Sequence, residues 1–355
     1  MSIMRIITCD RVCPVYVGYP IEKTGEKLRG KRYGKKVLLL SDSNVYPLYG
    51  DRLARSLSSE GKEVFNMTLP AGEKTKNFEN LIRIVEWCAE KKMGRDDTLI
   101  TLGGGMVSDI GGFASSIYMR GINFVCAPTS LLSQVDASIG GKTAVNLPCG
   151  KNLAGSFYQP SLVMIDLKTI STLPAREFSQ GVAEIIKYGV IRSSAIFRMM
   201  EKGGPLRNEE IKYLVGESIR IKKYCVERDE KERKGLREIL NFGHTLGHAV
   251  EISGFPSFSH GESVAAGMVG ETYLSFRLGI CDRITYERIK NAVASWNLPY
   301  SLKNMNIEKA LTFLQYDKKV RQGKIRFVMP RKISSVKRGV TLTVGDAWKI
   351  LREIC

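Results

Sequence analysis

The stretch DTLITLGGGMVSDIGGF, residues 97–113, decides how the chain is read. An apolar run ends in three consecutive glycines, and small and apolar residues then recur at helical spacing. The order is strand, tight turn, helix. Without a Cβ at Gly103, Gly104 and Gly105, backbone N–H groups can approach a phosphate at the opening of a helix. Against the dinucleotide pattern GxGxxG the match is partial, because Ser108 stands where the third glycine belongs. A purely structural turn would satisfy the same pattern.

Outward from this stretch, KVLLLSDSN (36–44), EVFNMTLP (63–70), NFVCAPTS (123–130) and LVMIDL (162–167) read as further buried parallel strands. Helical patterns lie between them. In NFENLIRIVEWCAEKK, Leu81, Ile84, Val85 and Cys88 share one face. Strand and helix in alternation define an open α/β sheet of the Rossmann-like, nucleotide-binding kind over residues 1–174. After STLP the pattern changes, and residues 175–355 read as an all-α half. REFSQGVAEIIKYGVI, GESVAAGMVGETYLSFRLG and RITYERIKNAVASWNLP carry apolar residues at three-to-four spacing. Ala265, Ala266, Gly267 and Gly270 predict a helix packed closely on its neighbours.

Bulk composition narrows the function. With 43% hydrophobic and 25% charged residues over 355 positions, the chain has the make-up of a soluble protein of two domains. The opening residues hold no long apolar core, so they read as neither a secretion signal nor a membrane span. Eight cysteines are scattered without a CxxC pair, which points to a reduced, cytoplasmic protein and away from cysteine-bound metal. The net charge of +18 suits an anionic partner. No Lys/Arg block is interleaved with aromatics, so a nucleic-acid face is not expected.

The chain's three histidines all fall inside NFGHTLGHAVEISGFPSFSHGE, residues 241–262. His244 and His248 are four apart and share one helix face, a spacing for two metal ligands or for a ligand beside a proton carrier. His260 can return to the same place. A carboxylate would complete such a shell, and Glu184, Glu251 and Glu262 all remain open for that part. Glu184 and Lys187 form an i, i+3 pair, ordinarily a surface ion pair. Here their neighbours Val182, Ala183, Ile185 and Ile186 are apolar. DASIGGKT (136–143) ends like a P-loop, but Asp136 replaces the leading glycine and would repel a triphosphate. With Lys151 and Asn152, the segment puts Asp136 and Lys142 in one loop region suited to phosphate and hydroxyl groups.

Together these residues resemble one family. TLGGGMVSDIGGF, YMRG, PTSLLSQVDASIGGKTAVNLPCGKN, GVAEIIKYG, LREILNFGHTLGHAVE and SHGESVAAGM are similar, in order and spacing, to the 3-dehydroquinate synthases of the sugar-phosphate cyclase superfamily. The likeness runs from about Ser41 to Val328. It implies an enzyme of the shikimate pathway, and so of aromatic amino acid biosynthesis, that uses NAD and a divalent metal, Zn2+ or Co2+. The implied reaction turns 3-deoxy-D-arabino-heptulosonate 7-phosphate into 3-dehydroquinate and phosphate. It proceeds by transient oxidation, phosphate elimination, re-reduction and intramolecular aldol closure, in a cleft between the two halves.

The resemblance also implies residue roles. Glu184, His244 and His260 correspond to the metal ligands, and His248 to a pocket residue that does not ligate. Asp136, Lys142, Asn152, Lys187, Lys223, Arg237 and Asn241 correspond to substrate contacts, and Lys318 or Lys319 to a lysine of the phosphate pocket. Arg120 is similar to an arginine that reaches the substrate phosphate of a neighbouring subunit, which implies a homodimer. On the NAD side the matches are Asp42, Asn44, Glu73, Lys76, Gly104, Gly105, Asp109, Thr129, Ser130, Lys142, Lys151 and Thr172.

Two positions depart from the family pattern. Ser108 replaces a glycine and sets a Cβ and a hydroxyl close to the expected pyrophosphate. The acidic run in RDEKERKGLR is shifted, so Asp229, Glu230 and Glu232 all stay open for the family's acidic position. Three other readings compete. A metal-dependent polyol dehydrogenase would share the architecture but release NADH and need fewer anion-gripping residues. A sister cyclase acting on another sugar phosphate would differ at Lys223, Arg237 and Asn241. A basic nucleic-acid-binding protein would account for the charge but not for the histidine window.

Overall fold

The five apolar runs form parallel strands in the structure, a computed structural model that describes residues 1–9, 11–253, 258–302, 320–321 and 324–354. Lys318 and Lys319 lie outside the described residues. The chain divides into two compact units, Met1–Pro174 and Ala175–Cys355.

The first unit contains the strands β1 (Ser2–Ile7), β2 (Val12–Val17), β3 (Lys36–Asp42), β4 (Glu63–Leu69), β5 (Thr98–Gly103), β6 (Asn123–Pro128), β7 (Lys142–Leu147), β8 (Gly150–Phe157) and β9 (Leu162–Ile165). Its helices are α1 (Thr24–Lys27), α2 (Asp51–Ser58), α3 (Phe78–Glu90) and α4 (Gly105–Ile117). Seven strands make one sheet in the order β1-β2-β9-β6-β5-β3-β4. Every neighbouring pair is parallel except the edge pair β1–β2. All six residues of β5 are buried, as are Val37–Asp42 of β3, so these strands carry apolar side chains on both faces. Each such Leu, Ile or Val contributes roughly 1.5–3 kcal/mol by leaving water. In α3 the Asn77 side chain caps the Asn80 N–H, and Leu81, Ile84 and Cys88 turn inward.

From β3 the chain passes first to β4 on one side and then to β5 on the other. The strand order therefore reverses between β3 and β5, and the carboxyl ends of such strands frame a ligand crevice. Asp42 ends β3 and the glycine turn ends β5.

Part of this unit differs from the expected layout. Residues 142–157 are an antiparallel hairpin separate from the main sheet, with Lys142 paired to Phe157 and Leu147 to Gly150. Lys142 thus stands at the open end, while Lys151 and Asn152 follow the turn. The single loop region expected for these residues is drawn out along two strands, because KTAVNL and KNLAGSF alternate and pair rather than loop.

The second unit holds α5 (Ala175–Arg192), α6 (Ser194–Met200), α7 (Asn208–Arg228), α8 (His244–Ser253), α9 (His260–Arg277) and α10 (Arg283–Ala294). It is mainly helical, and it also carries an antiparallel sheet that the helical reading leaves out. This comprises β10 (Val320–Arg321), β11 (Lys324–Lys332) and β12 (Ser335–Thr343), followed by a helix, Val344–Leu351. Ile325, Phe327 and Met329 of β11 join Leu246, Val250, Ala266 and Leu274 in one core. Ser263–Ser275 of α9 are buried throughout. Small residues make that possible: a Cβ on Gly267 would lie 2.0 Å from the Gly243 carbonyl oxygen and 2.6 Å from the Gly247 nitrogen. The two histidine-bearing helices therefore touch backbone to backbone. Among the described residues no helix is long and apolar enough to cross a membrane.

Candidate functional site

Three helices bring the histidine window and Glu184 together. The rings of His244, His248 and His260 have centroids 5.4–6.0 Å apart. His244 and His248 come from successive turns of α8, and His260 opens α9. Glu184 reaches them from the middle of α5, where it is fully buried. Its Oε1 lies 3.3 Å from His244 Nε2 and 3.8 Å from His260 Nε2. One ligand atom from each of Glu184, His244 and His260 falls within 4.8 Å of the others.

The second nitrogen of each ring fixes its orientation. His244 Nδ1 donates to the Phe242 carbonyl at 3.2 Å, and His260 Nδ1 lies 3.4 Å from Glu251 Oε2. Both Nε2 atoms then face the Glu184 carboxylate. Both Glu184 oxygens are buried without a hydrogen-bond partner of ordinary geometry, though the Lys187 ammonium lies against one of them. Acceptors that converge in a buried place call for a cation or a proton between them. Two imidazoles and a carboxylate are a donor set of catalytic zinc sites, so the residues fit such an ion.

The electrostatics agree. Burial opposes charge on Glu184, but Lys187 and His244 hold its carboxyl well below the usual carboxylate range. Burial pushes His244 down, with Glu184 pulling the other way. Burial also disfavours charge on His260, yet the neighbouring carboxylates of Glu184 and Glu251 carry it up to about 10. In the absence of metal a proton bound there helps neutralise the carboxylates, and a divalent ion would displace it.

The three carboxylates left open by spacing have separate tasks. Glu184 faces the ring nitrogens. Glu251 backs His260, and with His248 and His260 it forms a second, less buried group of potential ligands. Glu262 caps α9, accepting the Ser259 N–H at 2.6 Å and Arg176 Nη2 at 2.8 Å, which turns it away from metal binding.

The same unit carries further cations. Lys187 is buried on α5, and Lys223 Nζ meets Glu227 at 2.9 Å on α7. Arg237, 1% exposed, begins a short 3-10 turn that ends at Asn241. Its guanidinium donates to the Glu230 carbonyl at 2.8 Å and has Glu232 3.3 Å from Nε. Asp229 accepts the backbone N–H of Lys234 and Arg237. All three acidic candidates thus serve Arg237, by backbone carbonyl, by carboxylate and by holding its loop.

In the first unit the glycine turn opens α4 at Gly105, with Gly104 as a cap that offers no side chain to the first N–H groups. Asp42 Oδ1 accepts the N–H of Asn44 and Val45, and its other oxygen would be 3.3 Å from a Cβ on Gly103. Thr129 donates to the Gly103 carbonyl, and Ser130 Oγ accepts from Ser133 beside Gly104. Lys76, 4% exposed, reaches Asp109 at 2.7 Å and Glu73 at 3.3 Å. Asn146, which sequence reasoning missed, donates to Glu73 at 2.8 Å and accepts the Asn152 N–H at 2.9 Å. Tyr49, also missed, shares a 2.6 Å hydrogen bond with Thr172. Neither carried a recognisable spacing.

Asp136 sits in the turn Ser133–Ala137, and Arg120 is exposed in the turn Tyr118–Arg120. Ser108 turns its hydroxyl inward. Its Oγ bonds the Gly104 carbonyl at 3.1 Å and meets Cys126 Sγ at 3.3 Å, and the residue is buried. The hydroxyl is spent inside the protein, where a helical serine reaches the carbonyl four residues back.

This architecture matches that of 2-deoxy-scyllo-inosose synthase, solved as a complex with carbaglucose-6-phosphate, NAD+ and Co2+. The two share a TM-score of 0.90 and 21% identity over 100% of both chains, a likeness of fold. A 2-epi-5-epi-valiolone synthase from Streptomyces hygroscopicus subsp. jinggangensis, with NAD+ and Zn2+ bound, is 26% identical with a TM-score of 0.83, covering 90% of this chain and 91% of its own. Fold and site define an enzyme of the sugar-phosphate cyclase class. Within that class, residues 66–180 match the N-terminal and 181–320 the C-terminal family model of 3-dehydroquinate synthase. The 3-dehydroquinate synthase of Caldanaerobacter subterraneus subsp. tengcongensis is 42% identical over 349 residues, 97% of this chain and 98% of that one. The chain belongs to the 3-dehydroquinate synthase family.

Proposed function

We propose that the chain converts 3-deoxy-D-arabino-heptulosonate 7-phosphate into 3-dehydroquinate and phosphate, with NAD held by residues of the first unit and a divalent metal, Zn2+ or Co2+, by Glu184, His244 and His260. The observation that carries the reading is the convergence of two ring nitrogens on the buried Glu184 carboxylate. Family membership supplies the substrate. When bound, NAD accepts a hydride and returns it within one turnover, while the metal polarises a substrate oxygen.

The chain's own residues bind, orient and move protons. Arg237 grips the substrate carboxylate with two parallel N–H bonds, its own position held by Glu230 and Glu232. Lys142, Lys187 and Lys223 face the anionic and hydroxyl groups with Asp136, Asn152 and Asn241, and Lys318 or Lys319 completes the phosphate pocket. His248, beside the two ligating rings, relays a proton within the pocket. On the NAD side, the bare N–H groups at Gly104 and Gly105 receive the pyrophosphate. Asp42, Asn44, Glu73, Lys76, Asp109, Thr129, Ser130, Lys151 and Thr172 surround the rest of the cofactor.

The same reading has the enzyme work in the cytoplasm as a homodimer, Arg120 of one copy serving the substrate phosphate of the other. Met119 and Arg120 both take left-handed backbone angles, φ 51° and 63°. Strain of about 1–2 kcal/mol at each such residue is typical of functional positions.

The test is phosphate release from this substrate by the metal-loaded chain with NAD+. Metal-dependent release of phosphate with formation of 3-dehydroquinate and no net NADH supports the reading. Steady NADH accumulation points instead to a dehydrogenase, and inactivity of folded, metal-loaded protein to a cyclase for another sugar phosphate.

A further inference from the structure

Glu271 is a fully buried carboxylate three turns along α9 from His260, and no role so far uses it. Its oxygens receive three backbone N–H groups at the opening of α8. Gly243 donates to Oε2 at 2.8 Å, while Thr245 and Leu246 donate to Oε1 at 2.9 and 3.1 Å. The first N–H groups of a helix lack partners within it and carry partial positive charge, so an anion seated there holds the helix start in place.

His244 lies between two of these donors. Its ring is oriented by the carbonyl of Phe242, the residue just ahead of Gly243, so the group that aims Nε2 is on the clamped segment. The clamp has reach because α8 and α9 meet at their backbones: Gly267, one turn before Glu271, lies against the Gly243 carbonyl.

We propose that Glu271 is a positioning residue of the metal centre, clamping Gly243, Thr245 and Leu246 so that His244 Nε2 is held toward Glu184. The inference rests on the reading that Glu184, His244 and His260 bind a divalent ion. An ordinary helix cap would affect stability alone, whereas a positioning residue also sets the geometry of the bound ion. Outer-shell groups of this kind alter metal affinity by about 10–100-fold.

The test is Co2+ titration of the chelator-stripped full chain, read by the visible ligand-field spectrum and by Kd. It is run on the wild type, Glu271→Gln and Asp282→Ala, each shown to be folded by circular dichroism. Asp282 caps α10 through the Thr285 N–H, so its loss lowers stability without touching the clamp. The expected result is one Co2+ per wild-type chain, about 10–100-fold weaker binding with a changed spectrum in Glu271→Gln, and wild-type binding in Asp282→Ala. If Glu271→Gln does not fold, Glu271→Asp, which keeps the charge but shortens the reach, is read the same way. Wild-type affinity and spectrum in the Glu271 variant would overturn the proposal, as would equal weakening in Asp282→Ala. A wild-type chain that binds no Co2+ overturns the metal reading, and this inference with it.

Discussion

His244 Nε2 lies 3.3 Å from Glu184 Oε1, and no hydrogen bond of ordinary geometry satisfies that buried oxygen. The pair has the chemistry for half of the proposed cation site. Replacing Glu184 by Gln puts an amide N–H2 where an anion is needed and leaves Lys187 beside an uncharged group. Chelator-treated wild type should regain activity with Zn2+ or Co2+. Glu184→Gln should retain no metal by elemental analysis and lose more than about 100-fold in activity, beyond the cost of removing outer-shell support.

Gly267→Ala tests the backbone contact of α8 with α9. A Cβ there would fall 2.0 Å from the Gly243 oxygen, so the helices must part. Overpacking costs about 1–3 kcal/mol, and a clash with backbone belongs at the upper end. Chemical denaturation should show that loss, and metal affinity should fall with it, because the separation carries His244 away from His260. Unchanged metal affinity would mean that the two rings do not depend on this contact.

Ser108 gives a prediction against the family pattern. With its hydroxyl engaged by Gly104 and Cys126, Ser108→Gly should leave NAD affinity within about threefold, because a difference below RT ln 3 is less than 1 kcal/mol and no cofactor contact is gained. The same change should destabilise the protein by about 0.5 kcal/mol through helix propensity. Calorimetric titration with NAD+ checks the first expectation and thermal unfolding the second. A large gain in NAD affinity would show that the side chain obstructs the cofactor.

The loop before Arg237 should be acid-sensitive. Burial works against the charge of Asp229, but the backbone N–H groups of Lys234 and Arg237 hold its carboxyl below the ordinary value. A carboxyl with a depressed folded pKa stabilises the fold above its unfolded pKa, about 3.9, and that contribution disappears as pH falls through the folded value. The stability difference between wild type and Asp229→Asn should be constant above about pH 5 and shrink below about pH 4. A difference independent of pH would remove the charge from the explanation.

Legibility in the sequence followed the physics of each element. β3 and β5 were readable because both faces are buried and the strands are mostly apolar. The hairpin 142–157 and the strands β11 and β12 were not, since short alternating runs such as KIRFVMPRK resemble exposed segments until a partner strand supplies the pairing. The histidine window was legible as chemistry from composition alone. Choosing among Glu184, Glu251 and Glu262 was not, because they approach from three different helices. Glu271 had no signal at all: its partners are backbone N–H groups 25 to 28 residues earlier, and neither spacing nor residue type records such a contact.

The most direct measurement is anomalous diffraction from crystals of the Co2+-loaded protein. The account predicts one strong peak per chain, about 2.0–2.2 Å from Nε2 of His244, Nε2 of His260 and an oxygen of Glu184, with His248 outside ligand range. A peak held instead by His248 and Glu251, or none at a Co2+ concentration that supports turnover, would contradict it.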